Sequence, residues 1–294
     1  MVKYFTNILF FITILFILIF LFFYTAKTKE LFFDPSELPT ETIVILDGKA
    51  PNNNGFFVYT NQITDSNTAT EPIVWSQIQG ELFSVSLAPN QDIWGTDSQS
   101  TIYYKTRALK DFKKIKGKLR NINTDGTYVC GTNTKNDIFC AEINDAVSGK
   151  WNKIGNNAKM INVSNKKAYA INLDNSVSYS TDITDPYNVK WEPVPITYIQ
   201  FHSISLDGNK IVGINNKNDL YYADKNIFTR NPNFTKINVL NEMENFIHIS
   251  FKNNSILVTD TSGQLWWTSD YKNPNWVKIN TKGKTFMASH NAKS

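Results

Sequence analysis

The chain has 294 residues, 41% hydrophobic and 14% aromatic, with a net charge of +4. Its lysines are scattered and arginine is scarce, so the clustered basic stripe of a nucleic-acid binder is missing. It has only three histidines and two cysteines, too few at ligand spacing for a zinc set.

In chain order, residues 1–3 form a short tail. Tyr4 to Tyr24 carries no charge and is mostly Phe, Ile and Leu. At the helical rise this run is about 31 Å long, the thickness of a bilayer core, and it exceeds the apolar region of a cleavable signal peptide. The expectation is a single-pass, uncleaved signal anchor. Lys3 on one side against Lys27 and Lys29 on the other leaves the positive-inside rule near parity. The reading adopted puts the N-terminus in the cytoplasm and the rest outside, in the lumen or on a virion surface. Residues 25–42, with two prolines and mixed charge, read as a stalk.

Residues 43–294 read as one domain. Ile43–Leu46 and Phe56–Tyr59 are apolar runs around a Gly/Pro/Asn loop, a hairpin pattern. Then one phrase recurs, an aromatic residue followed three positions later by Ile or Val: Trp75/Ile78, Phe112/Ile115, Trp151/Ile154, Trp191/Val194, Phe234/Ile237 and Trp276/Ile279. The spacings are 37, 39, 40, 43 and 42 residues. A period near forty with strand-like content is the mark of a propeller or related array.

Each unit has three further strands. One is marked by an apolar residue and a small polar one, as at Val85-Ser86, Ile122-Asn123, Ile161-Asn162, Ile204-Ser205 and Ile249-Ser250. The other two flank a turn rich in Asn, Asp, Gly and Ser, residue types that tolerate positive φ or bond locally. Four strands per unit make a propeller blade. After Ile279 only Thr285–His290 remains for one more strand, and the missing hairpin is at Ile43–Tyr59. The fold class expected is therefore all-β, a six-bladed propeller whose last blade is built from both termini, preceded by one transmembrane helix.

Trp75-Ser-Gln-Ile-Gln-Gly-Glu-Leu82, Val85-Ser86, Ile93-Trp94-Gly95-Thr96 and Ile102-Tyr103-Tyr104 together resemble the tectonin repeat. Phe112-Lys-Lys-Ile-Lys-Gly-Lys-Leu119 is a second copy, and later units match by spacing. The resemblance implies a propeller of six blades and a binding role. Members of that family include lectins for surface glycans and lipopolysaccharide, and interaction modules in membrane trafficking.

No nucleophile elbow, zinc-protease helix, phosphate loop or calcium loop occurs, so no catalytic, cofactor or metal residue is nominated. The function expected is non-enzymatic, membrane-anchored recognition of glycans or surface ligands. The alternatives are a protein-interaction scaffold of a cellular or virion membrane and, more weakly, a propeller hydrolase. The Asn/Lys/Ile-rich composition fits an AT-rich genome, that of a large DNA virus among others. Ligand-binding candidates are Tyr103, Tyr221, Trp266, Asp97 and Asn216, aromatics and polar groups near the hairpin turns. The bland reading of each ring is packing between blades. The Asn/Ser positions 86, 123, 162, 205 and 250 are candidates for a polar ring around a central channel. Asn233 and Asn253 are glycosylation candidates, and Asn162, on an expected strand, is a poor one. Cys130 and Cys140 fall on paired strands, where a disulfide and two small buried residues are both open readings.

Overall fold

The computed structural model describes residues 41–49, 55–63, 75–194, 199–225, 227–229, 232–243, 245–281 and 283–292. The tail 1–3, the expected membrane helix 4–24 and the stalk as far as residue 40 lie outside the described residues. Among the described residues no helix is long and apolar enough to cross a membrane.

Described residues form six antiparallel four-stranded sheets within the compact unit Thr40–Ser294. From the channel outward, blade 1 is β4 (Ser84–Leu87), β5 (Ile93–Thr96), β6 (Thr101–Lys105) and β7 (Lys113–Lys118). Blade 2 is β8 (Asn121–Thr124), β9 (Tyr128–Thr132), β10 (Ile138–Glu142) and β11 (Asn152–Gly155). Blade 3 is β12 (Ala158–Ser164), β13 (Lys167–Asn172), β14 (Val177–Ser180) and β15 (Glu192–Val194). Blade 4 is β16 (Phe201–Asp207), β17 (Lys210–Asn215), β18 (Leu220–Ala223) and β19 (Thr235–Lys236). Blade 5 is β20 (Phe246–Lys252), β21 (Ser255–Asp260), β22 (Leu265–Thr268) and β23 (Val277–Ile279).

Blade 6 joins the two ends of the chain in the order β24 (Thr285–Ala292), β1 (Glu41–Lys49), β2 (Phe56–Ile63) and β3 (Ser76–Leu82). The C-terminus contributes one strand, the innermost, pairing Ile43 with His290 and Ile45 with Ala288. The blade boundary thus falls after the recurrent aromatic phrase, which marks the outermost strand. A short helix, α1 (Ile143–Val147), sits between β10 and β11 and departs from the all-strand expectation.

Each blade buries its faces against both neighbours. Six apolar clusters form, one at each junction; that between blades 6 and 1 holds Val44, Leu46, Val58, Leu82, Val85, Leu87 and Ile93. The aromatic phrase has a second task. The indole N–H of Trp151 donates to Lys116 O, Trp191 to Ile154 O, Trp276 to Asn238 O and Trp75 to Asn280 O, each at 2.8 Å. Every bond crosses to the outer edge of the preceding blade. Gly117, with φ of +123°, explains the glycine that follows the Ile of the phrase. A Cβ there would lie 2.8 Å from the Trp151 ring nitrogen, so only glycine lets the next tryptophan seat.

The expected polar ring exists, and its role is architectural. Ser86 Oγ accepts from Thr124 N, Asn123 Oδ1 from Val163 N, Ser205 Oγ from Phe251 N and Ser250 Oγ from His290 N. Asn162 Nδ2 donates to Ile204 O. Each bond reaches the innermost strand of the next blade, so the channel wall is stitched by side chains where no sheet hydrogen bond can form. Together with apolar neighbours, Met160 and Met287 among them, these residues leave a neck of only about 50 Å³.

Candidate functional site

The outer part of the junction between blades 6 and 1 opens as a groove of about 690 Å³. Its walls are Phe57, Gln77, Gln79, Gly80 and Glu81 from blade 6, and Asp97, Gln99 and Tyr103 from blade 1. Two of the candidates, Tyr103 and Asp97, meet here. Tyr103 OH donates to Asp97 Oδ2 at 3.2 Å, and the other carboxylate oxygen accepts from Gln99 N and Thr101 N. Asp97 therefore closes the hairpin turn and aims the phenol at once. Burial, then the neighbouring Asp97 carboxylate, raises the Tyr103 pKa, so the hydroxyl stays protonated as a donor. Tyr103 is half-buried, while Gln77, Gln79 and Gln99 are exposed.

Gln77, Gln79 and Glu81 alternate along β3, and alternate strand residues share a face. That i, i+2, i+4 polar pattern is visible in the sequence and could have nominated all three. Phe57 carries no such signal; pairing of β2 with β3 sets it opposite Glu81. One ring on each wall, with amide and carboxylate groups beside it, offers ring stacking and hydrogen bonds to a hydroxyl-rich ligand.

The other candidates are dispersed. Tyr221 and Trp266 occupy the rung of Tyr103 in blades 4 and 5. Tyr221 packs into the junction of blades 3 and 4, edge-on to Phe201. Trp266 is 3% exposed and donates to Asp260 Oδ2, a copy of the Tyr103–Asp97 contact turned inward. The turn residue equivalent to Asp97 in blade 4 is Asn215, whose Oδ1 accepts from Lys217 N and Asp219 N. Asn216, one position on, projects outward and donates to Gln200 Oε1. Asn233 and Asn253 are exposed, whereas Asn162 is buried in the ring. Cys130 and Cys140 lie directly opposite on β9 and β10, and their sulfurs are bonded.

His290 is fully buried, and His202 and His248 are partly buried. His248 reaches into the narrow neck, where burial and then His202 push its pKa down to about 4. His290 bonds Ser255 through Nε2 and Ser250 through Nδ1, and burial followed by the Lys252 charge lowers its pKa to about 3. No group of three or more metal-ligating side chains occurs among the described residues.

A Tectonin domain model matches residues 48–143, from blade 6 into blade 2. That stretch of the six-bladed ring is a tectonin-repeat segment. The matched stretch holds every residue that lines the junction groove, from Phe57 to Tyr103. No curated protein matches the chain in sequence. Among solved structures, a chain of the nidogen/laminin complex superposes with a TM-score of 0.64 at 8% identity, covering 87% of this chain and 99% of that one. A chain of the Kap60 complex with yeast RCC1 gives 0.51 at 11% identity, covering 83% and 74%. At such identities the likeness is one of fold alone. A tectonin propeller is a binding and recognition fold.

Proposed function

We propose that this tectonin propeller is a non-enzymatic, lectin-like protein that binds glycans at the groove between blades 6 and 1. One observation carries the reading: a single open groove sets Tyr103, Asp97 and Gln99 on one wall against Phe57, Gln77 and Gln79 on the other. The apolar run 4–24 supports a single-pass anchor, with the propeller extracellular, luminal or on a virion surface. The Cys130–Cys140 bond fits such an oxidising setting.

The test is a glycan array probed with the full chain and with Tyr103→Ala. Saturable binding that the variant loses supports the proposal; no binding, or binding indifferent to Tyr103, overturns it. Carbonate extraction of membranes and glycosidase-sensitive mobility at Asn233 and Asn253 test the anchor and its orientation.

The scaffold reading has an observation of its own. Phe56 and Phe286 stack at 4.4 Å beside Phe83, which is 42% exposed, leaving an aromatic surface cluster. Cross-linking to a protein partner through this cluster, with an empty glycan array, would favour it.

A further inference from the structure

The second large opening lies on the channel axis, where the innermost strands end. It holds about 540 Å³ and takes a residue from every blade, from Pro89 in blade 1 to Asn291 in blade 6. The turns that follow β12, β16 and β20 each carry positive φ, at Asn165, Gly208 and Asn253, and fold back tightly around the rim.

The rim is fixed before any ligand arrives. Asn165 N donates to Asp125 Oδ2, Gly208 N to Ser164 Oγ and Asn253 N to Asp207 Oδ2, at 2.7–2.8 Å, and Asn291 Nδ2 donates to Pro89 O at 2.6 Å. Each of these bonds crosses a blade junction. The basin therefore shares the rigidity of the ring, which lowers the ordering cost of binding.

Its charges are separated. Lys252 stands in blade 5 and Asp125 in blade 2, and in a ring of six those blades face each other. The Lys252 side chain is only 15% exposed, and its ion contact is with Asp207 Oδ1 at 3.8 Å, beyond hydrogen-bond distance. Its ammonium thus keeps donors for a ligand at the wall of the basin. Both carboxylates accept backbone N–H bonds yet retain further lone pairs. Pro89 is the one apolar side chain among the lining residues and none is aromatic, so ring stacking is not the source of affinity here.

We infer that the channel mouth is a second binding site, distinct from the blade-junction groove, for a small zwitterion of amino-acid or dipeptide size. Its carboxylate pairs with Lys252 and its ammonium with Asp125 across the basin. Thr127 and Asn253 flank those two ends. The inference does not depend on the glycan proposal.

The experiment is calorimetric titration of the full chain with glutamate, lysine and glycylglycine, and with glycinamide and N-acetylglycylglycine as end-blocked comparisons. At least one zwitterion binds saturably, and blocking either end weakens it about tenfold or more, as loss of one charge-assisted contact requires. Free amino acids and the dipeptide separate by which gives the tighter constant. Lys252→Gln loses the binding, Lys252→Arg keeps it, and Tyr103→Ala, in the other groove, leaves it unchanged. No saturable binding below about 10 mM, a constant near the weakest specific range, overturns the inference. So does equal binding of the end-blocked compounds or full retention in Lys252→Gln.

Discussion

Ser289 Oγ accepts a hydrogen bond from the backbone N–H of Leu87 at 3.0 Å, across 202 positions of sequence. It is the sixth and closing member of the ring begun by Ser86. Without it the wall between blades 6 and 1 keeps only the sulfur contact from Val85 N to Met287 Sδ as a stitch between innermost strands, and Leu87 N is left in a buried site. Ser289→Ala is expected to cost about 1–3 kcal/mol, the penalty for an orphaned buried donor. Deleting residues 278–294 removes β24 altogether and bares the edges of β1 and its neighbours. The expected outcome is loss of the cooperative thermal transition of the whole ring. A truncated chain that melts as the intact one does would show that closure contributes nothing.

The tryptophan belt makes a graded prediction. Trp191→Phe keeps the packing and loses one bond to Ile154 O, so a denaturant midpoint shift equivalent to about 1 kcal/mol is expected. Gly117→Ala is expected to cost more, about 1–3 kcal/mol, because the new Cβ overlaps the Trp151 ring and the φ of +123° disfavours an L side chain. Combining Gly117→Ala with Trp151→Ala relieves the overlap, so the double variant loses less than the sum of the two. Strict additivity would mean that the glycine does not serve the tryptophan.

These same residues show what was legible in the sequence. The blade count, the four strands per unit and the polar ring at 86, 123, 162, 205 and 250 all follow from repeated spacing, because each blade meets the same neighbours in the same way. Ser289 escaped because its unit is split between the termini and has no complete copy to align. Phe57 escaped for the same reason. Tyr103 and Trp266 are the same rung in sequence, yet one borders an open groove and the other is covered. That difference comes from the loops and from the neighbouring blade, which the repeat does not encode. The offset of Asn216 from Asn215 is a single residue, and one residue along a turn decides between closing it and pointing away.

Acid should weaken the ring before the carboxylates titrate. His248 and His290 have folded pKa values of about 4 and about 3, against an ordinary 6.5. The unfolded chain therefore binds more protons below pH 6.5, and stability falls as pH drops from there towards 3. A full pH unit between folded and unfolded pKa is worth about 1.4 kcal/mol, so the two histidines together cost on the order of 5 kcal/mol by pH 4. His248 faces His202, and His290 faces Lys252, Ser250 and Ser255, none of which offers a negative charge to hold the proton. Urea unfolding from pH 7 to pH 4 measures the slope. His290→Gln should flatten it, and an unchanged slope would remove His290 from the account.

Within the junction groove, the phenol and the ring of Tyr103 make separable contributions. Tyr103→Phe keeps the aromatic face and removes only the donor to Asp97 Oδ2, whose partner oxygen still closes the turn through Gln99 N and Thr101 N. Tyr103→Ala removes both. If stacking dominates glycan recognition, the Phe variant should bind within about threefold of the parent and the Ala variant about tenfold more weakly, since aromatic contacts of this kind are worth about 0.5–1.5 kcal/mol beyond area burial. If the hydroxyl dominates, both variants should weaken alike. Gln79→Ala, exposed on the facing strand, tests the opposite wall: it should weaken binding several-fold and leave the melting temperature unmoved, because its side chain packs against nothing that the ring needs. A melting shift in Gln79→Ala comparable to that of Ser289→Ala would instead make this wall part of the closure, and the groove a gap between blades without a role in recognition.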